Sequence, residues 1–459
     1  MTHRMLLLAA ISLVAAPVLA GCADNADNPG TGTTPTRTTN QPTGATPTAT
    51  PTSGTPTIPT NVAPITPPLT LKLGLMNPLS GDLSNLGPSM QKGMELAVEE
   101  INAVSALTGL TIQVVGREDD TTGDQTRATA AYDRLVGLGA TAIAGPCCSG
   151  VTGAILTRAV EDGVIVASPS ATSPTLTETD RQGLFWRVSP TDAGQGRVLA
   201  EMVKADGHTS VNMIVVNNDY GNGFAGVFEE VFEAAGGNVG TISRVDETAA
   251  TVVSSQVTQA CSGNPNAVVM VVYTDTGAEV LRAMQAQGCL ARVQVYASEG
   301  IFSPVLAGSV VEQAGRDPQG RWLAQGMKGT TPQAINTTVF SQAYQAKFNE
   351  APQQYAPESY DAVMYIALGA LAAKSVNGED IAAKMLDNAN PGGAQCRAFR
   401  DCALFLLAGQ DIDYQGYAHD LEFHDNNGSH EPRSGAYSYW EVNAEGQMAL
   451  TRENVVPSE

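Results

Sequence analysis

The residues best suited to chemistry fall in one stretch, Ala144–Glu178, AGPCCSGVTGAILTRAVEDGVIVASPSATSPTLTE. It holds two hydroxyl-rich turns, one with Ser149 and one with Ser170, Thr172 and Ser173. Each turn follows a short apolar run that reads as a parallel strand, and open α/β folds bind ligands beyond the carboxyl ends of such strands. Ser149 stands just before a predicted helix, where its hydroxyl and the free backbone N–H groups favour an anion such as a carboxylate. The plainer alternatives are that Ser149 caps that helix and that Ser170–Pro174 is only a turn. Glu299, in Tyr296-Ala297-Ser298-Glu299-Gly300, follows another strand end. A carboxylate there suits an ammonium group; the alternative is a surface glutamate. Tyr273 also ends a strand, where its ring packs on a cationic head group or covers the core.

Catalytic patterns are absent. Gly145-Pro146-Cys147-Cys148-Ser149-Gly150 is not GxSxG, and no Walker A pattern GxxxxGK[ST] occurs. His419, His424 and His430 gather late in the chain without the spacing of a zinc motif, and read as a solvated face. Gly221-Asn222-Gly223-Phe224-Ala225-Gly226 fits the dinucleotide pattern GxGxxG, with Asp246 downstream. Yet Asn217–Tyr220 separates the apolar strand from the first glycine, so the segment reads as a turn that projects Tyr220. Neither a cofactor nor a metal is expected.

These residues need strand ends to hold them. Probable strands are Leu71–Met76, Thr111–Val115, Ala140–Ala144 and Val164–Ala167, and after Trp186 a second series, Val211–Val216, Gly240–Val245, Ala267–Tyr273 and Val293–Tyr296. Helical patterns lie between them, at Pro88–Ala103, Asp124–Leu138, Val151–Glu161, Ala193–Ala205, Gly223–Ala235, Ala250–Ala260 and Gly277–Gln287. Such alternation means βαβ units and parallel sheets, an α/β fold of two similar lobes. Later, Phe340–Asn349 and Ser359–Lys374 look helical. Leu421–Phe423, Tyr437–Val442 and the turn Asp425-Asn426-Asn427-Gly428 look like one late hairpin.

The N-terminus reads as an export signal: Arg4, an apolar core Met5–Val14, then Leu19-Ala20-Gly21-Cys22. That last tetrad resembles the bacterial lipobox, which implies a signal over 1–21 and lipidation of Cys22. Residues 22–68 are mostly Thr, Pro, Gly, Ala, Asn and Asp and read as a disordered tether, with order beginning at Leu69. No further run of about 18 apolar residues follows, as a membrane span would need. The formal net charge of −21 argues against a nucleic-acid partner. Setting Cys22 aside leaves six of the seven cysteines, an even number in an exported chain. Cys261 and Cys289 flank one strand–helix unit and could pair, and Cys396 and Cys402 are close enough to pair across a loop.

Taken together, Leu71–Gly87 (LKLGLMNPLSGDLSNLG), Gly93–Asn102 (GMELAVEEIN), Glu118-Asp119-Asp120, Ala144–Glu178, Phe185–Gly196 (FWRVSPTDAGQG), Asp219–Gly223, Ser298-Glu299-Gly300 and Ser359–Ala362 resemble the type I periplasmic solute-binding proteins of ABC transporters, of the Leu/Ile/Val class. The resemblance implies two Rossmann-like lobes with parallel sheets, joined by a three-crossing hinge. The N-terminal lobe would hold 69–189 and 333–414, the C-terminal lobe 190–332 and 415–445, with 446–459 as a tail. The crossings would fall near Ser189, Pro332 and Tyr414, with the late hairpin in the second lobe. It further implies that Ser149 and Thr172 hold a ligand carboxylate, with Ser170 contributing its backbone, that Glu299 holds the ammonium, and that Tyr273 or Thr274 faces the ligand from the second lobe. Leu86 stands where the family often has an aromatic residue over the ligand side chain; Tyr220 and Tyr360 are further candidates for the pocket wall. In some relatives the cysteine matching Cys148 pairs with one in the loop after the second strand, but Thr122 stands there, so that pairing is lost; a vicinal Cys147–Cys148 disulfide, an uncommon arrangement, and two free thiols both stay open. The implied function is a monomeric, lipid-anchored receptor on the outer face of the cytoplasmic membrane, which is not an enzyme. It would capture a small zwitterionic amino acid and deliver it to the membrane subunits of an ABC permease. The alternative on the same fold is a sensor for an amide, urea or an aromatic acid.

Overall fold

A computed structural model describes residues 57–120, 124–246, 253–335, 337–419 and 422–457. Cys22, the export signal and the greater part of the tether lie outside the described residues, as does Thr122. The strands are β1 (Leu69–Asn77), β2 (Leu110–Asp119), β3 (Ala142–Ala144), β4 (Ile165–Ser168), β5 (Phe185–Arg187), β6 (Ser210–Val216), β7 (Asn238–Val245), β8 (Ala267–Val271), β9 (Gln294–Ala297), β10 (Lys328–Pro332), β11 (Ala394–Cys396), β12 (Ile412–Tyr414), β13 (Phe423–Asn426), β14 (Ser429–Pro432), β15 (Tyr437–Val442) and β16 (Met448–Val455). Two seven-stranded sheets result, ordered β13-β14-β5-β4-β3-β1-β2 and β16-β15-β10-β9-β8-β6-β7, with β11 and β12 paired apart. Strands β1 to β5 pair in parallel within the first sheet, and β6 to β10 within the second. Helices cover both faces, so central strands such as Ala267–Val271 are wholly buried. This is why they read as unbroken apolar runs.

The chain passes between the sheets three times: after β5, after β10, and between β14 and β15. The third passage, at residues 433–436, replaces the crossing expected near Tyr414. The expected single late hairpin is two. Phe423–Asn426 and Ser429–Pro432 close around Asn427 and Gly428, with φ of 53° and 70°, and join the first sheet. Strand β14 pairs in parallel with β5, aligning Ser429 with Phe185 and His430 with Trp186. The Trp186 ring packs on Phe423 and His430, with centroids 5.4 and 4.7 Å away. Beside it, buried Arg187 donates from Nε to Glu431 Oε2 at 3.1 Å. These contacts hold the hairpin to the first lobe. The supposed tail supplies β16, the antiparallel edge beyond β15 in the second sheet.

Order also begins earlier than Leu69. Ile65 is buried in the first lobe's core, where its N–H donates to the Thr108 carbonyl at 3.0 Å, and Ile58 packs nearby. The histidines do not form a solvated face. His419 and His430 are buried, and His419 Nε2 lies 3.0 Å from Glu358 Oε1. Helices Gly378–Asn388 and Phe399–Leu407 complete the first lobe, alongside the long buried helix Ala356–Ala373.

Candidate functional site

Strand β3 passes into the helix Ser149–Asp162 within four residues. Gly145 makes this turn with φ of +104°, and a Cβ there would lie 2.0 Å from the Met76 carbonyl oxygen. The next residues, Cys147 and Cys148, are joined by a disulfide. The Cys147 N–H donates to Asp120 Oδ2 at 2.9 Å. Ser149 is the first helical residue rather than the cap. Its Oγ accepts from the Ser173 N–H at 3.1 Å, which leaves its own proton available to a ligand.

The second turn follows β4. Ser170 Oγ donates to the Cys147 carbonyl at 2.7 Å, tying the two turns together. Thr172 Oγ1 lies 3.0 Å from Asp192 Oδ2. Arg187, fully buried, holds this turn from beneath: Nη1 donates to the carbonyls of Ala171 and Ser173, at 2.5 and 2.8 Å. Ser173 Oγ reaches across to the second lobe and donates to the Asp219 carbonyl at 2.9 Å.

That contact explains one glycine of the GxGxxG match. Gly221, Gly223 and Gly226 lie inside the helix Asp219–Ala234, not in a strand-to-helix loop. A Cβ on Gly223 would meet Ser173 Oγ at 2.5 Å, so the glycine allows the lobes to touch. Asn218 caps this helix by accepting from the Gly221 N–H at 3.0 Å. Tyr220 projects inward and stacks on Tyr273, centroids 5.5 Å apart and planes 12° apart.

Glu299 begins a short helical turn after β9 and is 4% exposed, not a surface residue. Its Oε2 accepts from Gln195 Nε2 at 2.7 Å. Burial pushes its carboxyl up to about 7, opposed by hydrogen bonds from its own backbone, Tyr220 and Gln195. Asp192 is also wholly buried and is raised well above the usual carboxylate range, first by burial and then by the charge of Glu299. Asp192 Oδ1 and Gln195 Oε1 have no hydrogen-bond partner among the described residues.

These pieces enclose one cavity of about 30 Å³ between the lobes. Ser149, Ser170, Thr172, Leu86, Tyr220, Tyr273 and Glu299 all line it, with Leu83, Met90, Tyr355, Gly300 and both cysteines of the vicinal disulfide. Leu83, Leu86, Met90 and the cysteines belong to one apolar cluster with Val151, Tyr220, Phe224 and Tyr273, drawn from both lobes. Thr276 Oγ1, from the second lobe, donates to Asp82 Oδ2 of the first at 2.6 Å.

Tyr360 does not reach the cavity. It is buried in the first lobe's core beside Phe340 and Tyr417, and its hydroxyl bonds Glu100. Tyr355 takes the place expected of it, just before the helix Ala356–Ala373, with φ of +64° and a buried hydroxyl without a partner among the described residues. Arg187, Asp192 and Gln195 also belong to the site, though none stands out in the sequence. Asp192 and Gln195 are three apart at a helix start, which places both on one face. That spacing was the available signal. Away from the cavity, Cys261–Cys289 and Cys396–Cys402 are bonded. Among the described residues no cluster of three His, Cys, Asp or Glu could hold a metal, and no helix is long and apolar enough to cross a membrane.

The architecture and the cleft can be set beside known proteins. "Leu/Ile/Val-binding protein homolog 3" of Brucella melitensis is 27% identical over 328 residues, covering 70% of this chain and 84% of its own length. The fold matches a branched-chain amino acid transporter substrate-binding protein of Streptococcus pneumoniae in complex with isoleucine, with a TM-score of 0.65, 21% identity, and coverage of 85% of this chain and 100% of that one. A solute-binding protein of R. palustris in complex with benzoate matches equally well, with a TM-score of 0.65, 17% identity, and coverage of 85% and 97%. A family model described as "Periplasmic binding protein" matches residues 70–392. The family model spans most of this chain of two parallel-sheet lobes, and the chain belongs to the periplasmic binding protein family.

Proposed function

We propose that this chain is a lipid-anchored extracytoplasmic receptor, without catalytic activity, that captures a small amino acid, branched-chain or related, and delivers it to an ABC permease. One observation carries the reading: a hydroxyl-rich helix start and a buried carboxylate share one cavity whose remaining wall is largely apolar. Ser149 donates to the ligand carboxylate, aided by the first N–H groups of its helix. Glu299 accepts from the ammonium. Leu83, Leu86 and Met90 face the side chain. When Asp192 carries a proton it donates to Thr172 Oγ1, which frees the threonine proton for the carboxylate.

A cavity of about 30 Å³ holds little more than a water or two. An amino acid therefore enters by separation of the lobes. Closure then removes water and strengthens each polar contact, and the ligand favours the closed form because it touches both lobes. Cys22 would carry the lipid, outside the described residues.

A second reading has a specific basis: a carboxylate ligand without an ammonium, such as an aromatic acid. Glu299, raised to about 7, can meet such a ligand in its protonated form. Titration calorimetry with L-leucine, L-isoleucine, L-valine and benzoate separates the two. Binding of the amino acids with benzoate inert supports the first reading, and the reverse removes it.

A further inference from the structure

We propose that the Cys147–Cys148 disulfide is a working part of the binding wall, and that reducing it alone lowers the affinity of the cleft. The proposal rests on the cavity being the ligand site.

The vicinal bond is unlike the other two. Cys261–Cys289 spans 28 residues and Cys396–Cys402 spans six, whereas Cys147 and Cys148 are adjacent, with Cα atoms 3.8 Å apart. A disulfide stabilises chiefly by closing a loop in the unfolded chain, and neighbouring residues close almost none. The effect of this bond is therefore local. Both cysteines line the cavity and pack in the same apolar cluster as Leu83, Leu86 and Met90. Their sulfurs present a soft, polarisable surface to an apolar side chain.

The bond also braces the carboxylate side. Cys147 is held at its N–H by Asp120, 2.9 Å away, and at its carbonyl by Ser170, 2.7 Å away. The Cys148 carbonyl accepts the helical bond from the Thr152 N–H at 2.9 Å. Locking the two side chains together fixes the dipeptide from which both Ser149 and Ser170 take their positions.

A dithiol reductant can undo this. Its thiolate attacks one sulfur and displaces the other as a thiolate; its second thiol then closes the reductant's own disulfide. Two electrons and two protons pass to Cys147 and Cys148, which become separate thiols. These occupy more space than the bonded pair, in a cavity with little to spare, and leave the serines less firmly placed. Linkage makes the effect reciprocal: if reduction weakens the ligand, bound ligand protects the disulfide to the same degree.

The test uses L-leucine as probe on the exported chain. Calorimetry compares the oxidised protein, the same protein treated with dithiothreitol, a Cys147→Ser/Cys148→Ser variant and a Cys396→Ser/Cys402→Ser control. Reduction and the first variant should weaken leucine by about tenfold or more, the scale of one lost hydrogen bond to a charged group, while the control keeps its affinity. Leucine should also slow reduction of the dipeptide, read by alkylation and mass spectrometry. Equal affinity in oxidised and reduced protein overturns the proposal, as do two alkylatable thiols at this dipeptide in protein isolated without reductant. Hydrogen exchange gives a readout that needs no ligand: reduction should speed exchange at 147–152 and 168–173. If the oxidised protein binds no amino acid, the amino-acid reading fails by itself, and benzoate takes the place of leucine as the probe. Unchanged exchange then overturns the brace as well.

Discussion

Replacing Glu299 by Gln keeps the size of the side chain and removes its charge. The residue is 4% exposed and accepts from Gln195 at 2.7 Å, so a ligand ammonium would meet it with little water between. Removing one member of a buried charge pair costs roughly 2–5 kcal/mol. The glutamine carbonyl still accepts a hydrogen bond, which places Glu299→Gln near the lower end. A loss of about 2–3 kcal/mol is about 30- to 160-fold in Kd. The pH dependence gives a second check. With Glu299 pushed up to about 7 in the empty site, binding an ammonium below that pH expels a proton. Affinity should then rise with pH by up to about tenfold per unit between roughly pH 5 and 7 and level off above. Asp192, raised by the same burial, opposes this slope, because its protonated form is the one that frees Thr172 for the ligand carboxylate, and the two carboxyls titrate as a pair. The free protein shows the opposite trend. A carboxyl raised from 4.5 to about 7 binds more protons folded than unfolded, so stability falls as pH rises through that window. Calorimetry of leucine binding at pH 5, 6, 7 and 8, for both forms, measures the affinities, and urea unfolding of the free protein over the same pH range measures the stability. Unchanged affinity in Glu299→Gln with an unchanged pH slope would refute the assignment and favour a ligand without an ammonium.

Arg187→Met leaves Glu431 buried without its cation and frees the carbonyls of Ala171 and Ser173, so urea unfolding should show a loss of about 3–5 kcal/mol. Thr276→Val removes the hydroxyl that donates to buried Asp82 from the other lobe. The closed form should weaken by about 1–3 kcal/mol, read as a larger radius of gyration of the free protein by small-angle scattering. Tyr360→Phe should lower stability but leave leucine affinity within about twofold, since its hydroxyl bonds Glu100 away from the cavity. Tyr355→Phe, by contrast, removes a buried hydroxyl without a partner among the described residues and should leave the free protein at least as stable.

The legible parts of this chain were those with a local cause. Ala267–Val271 reads as a strand because both faces are covered, and the helix Gly87–Ala103 announces itself by Pro88 at its start. Ser149, Ser170, Thr172, Tyr273 and Glu299 were visible as polar residues at the ends of such strands. All five line one cavity. Strand Phe185–Arg187 was missed because it is three residues long and carries an arginine, whose burial makes sense only beside Glu431. Of the late hairpin, Tyr437–Val442 lies in the second sheet as expected, whereas the part around Asn427 and Gly428 joins the first, because its local sequence fits either sheet and its place depends on pairing with Phe185 and Trp186.

Residue type and spacing determined by themselves the α/β alternation and the position of polar groups at strand ends. Tertiary structure alone decided that Tyr355 and not Tyr360 faces the cleft, that Asp192 and Glu299 share one buried charge problem, and that Gly223 makes room for Ser173 rather than for a phosphate. Local periodicity sets which face of an element is apolar. Which faces meet depends on contacts between residues far apart in the chain, and burial and charge coupling exist only once they have met.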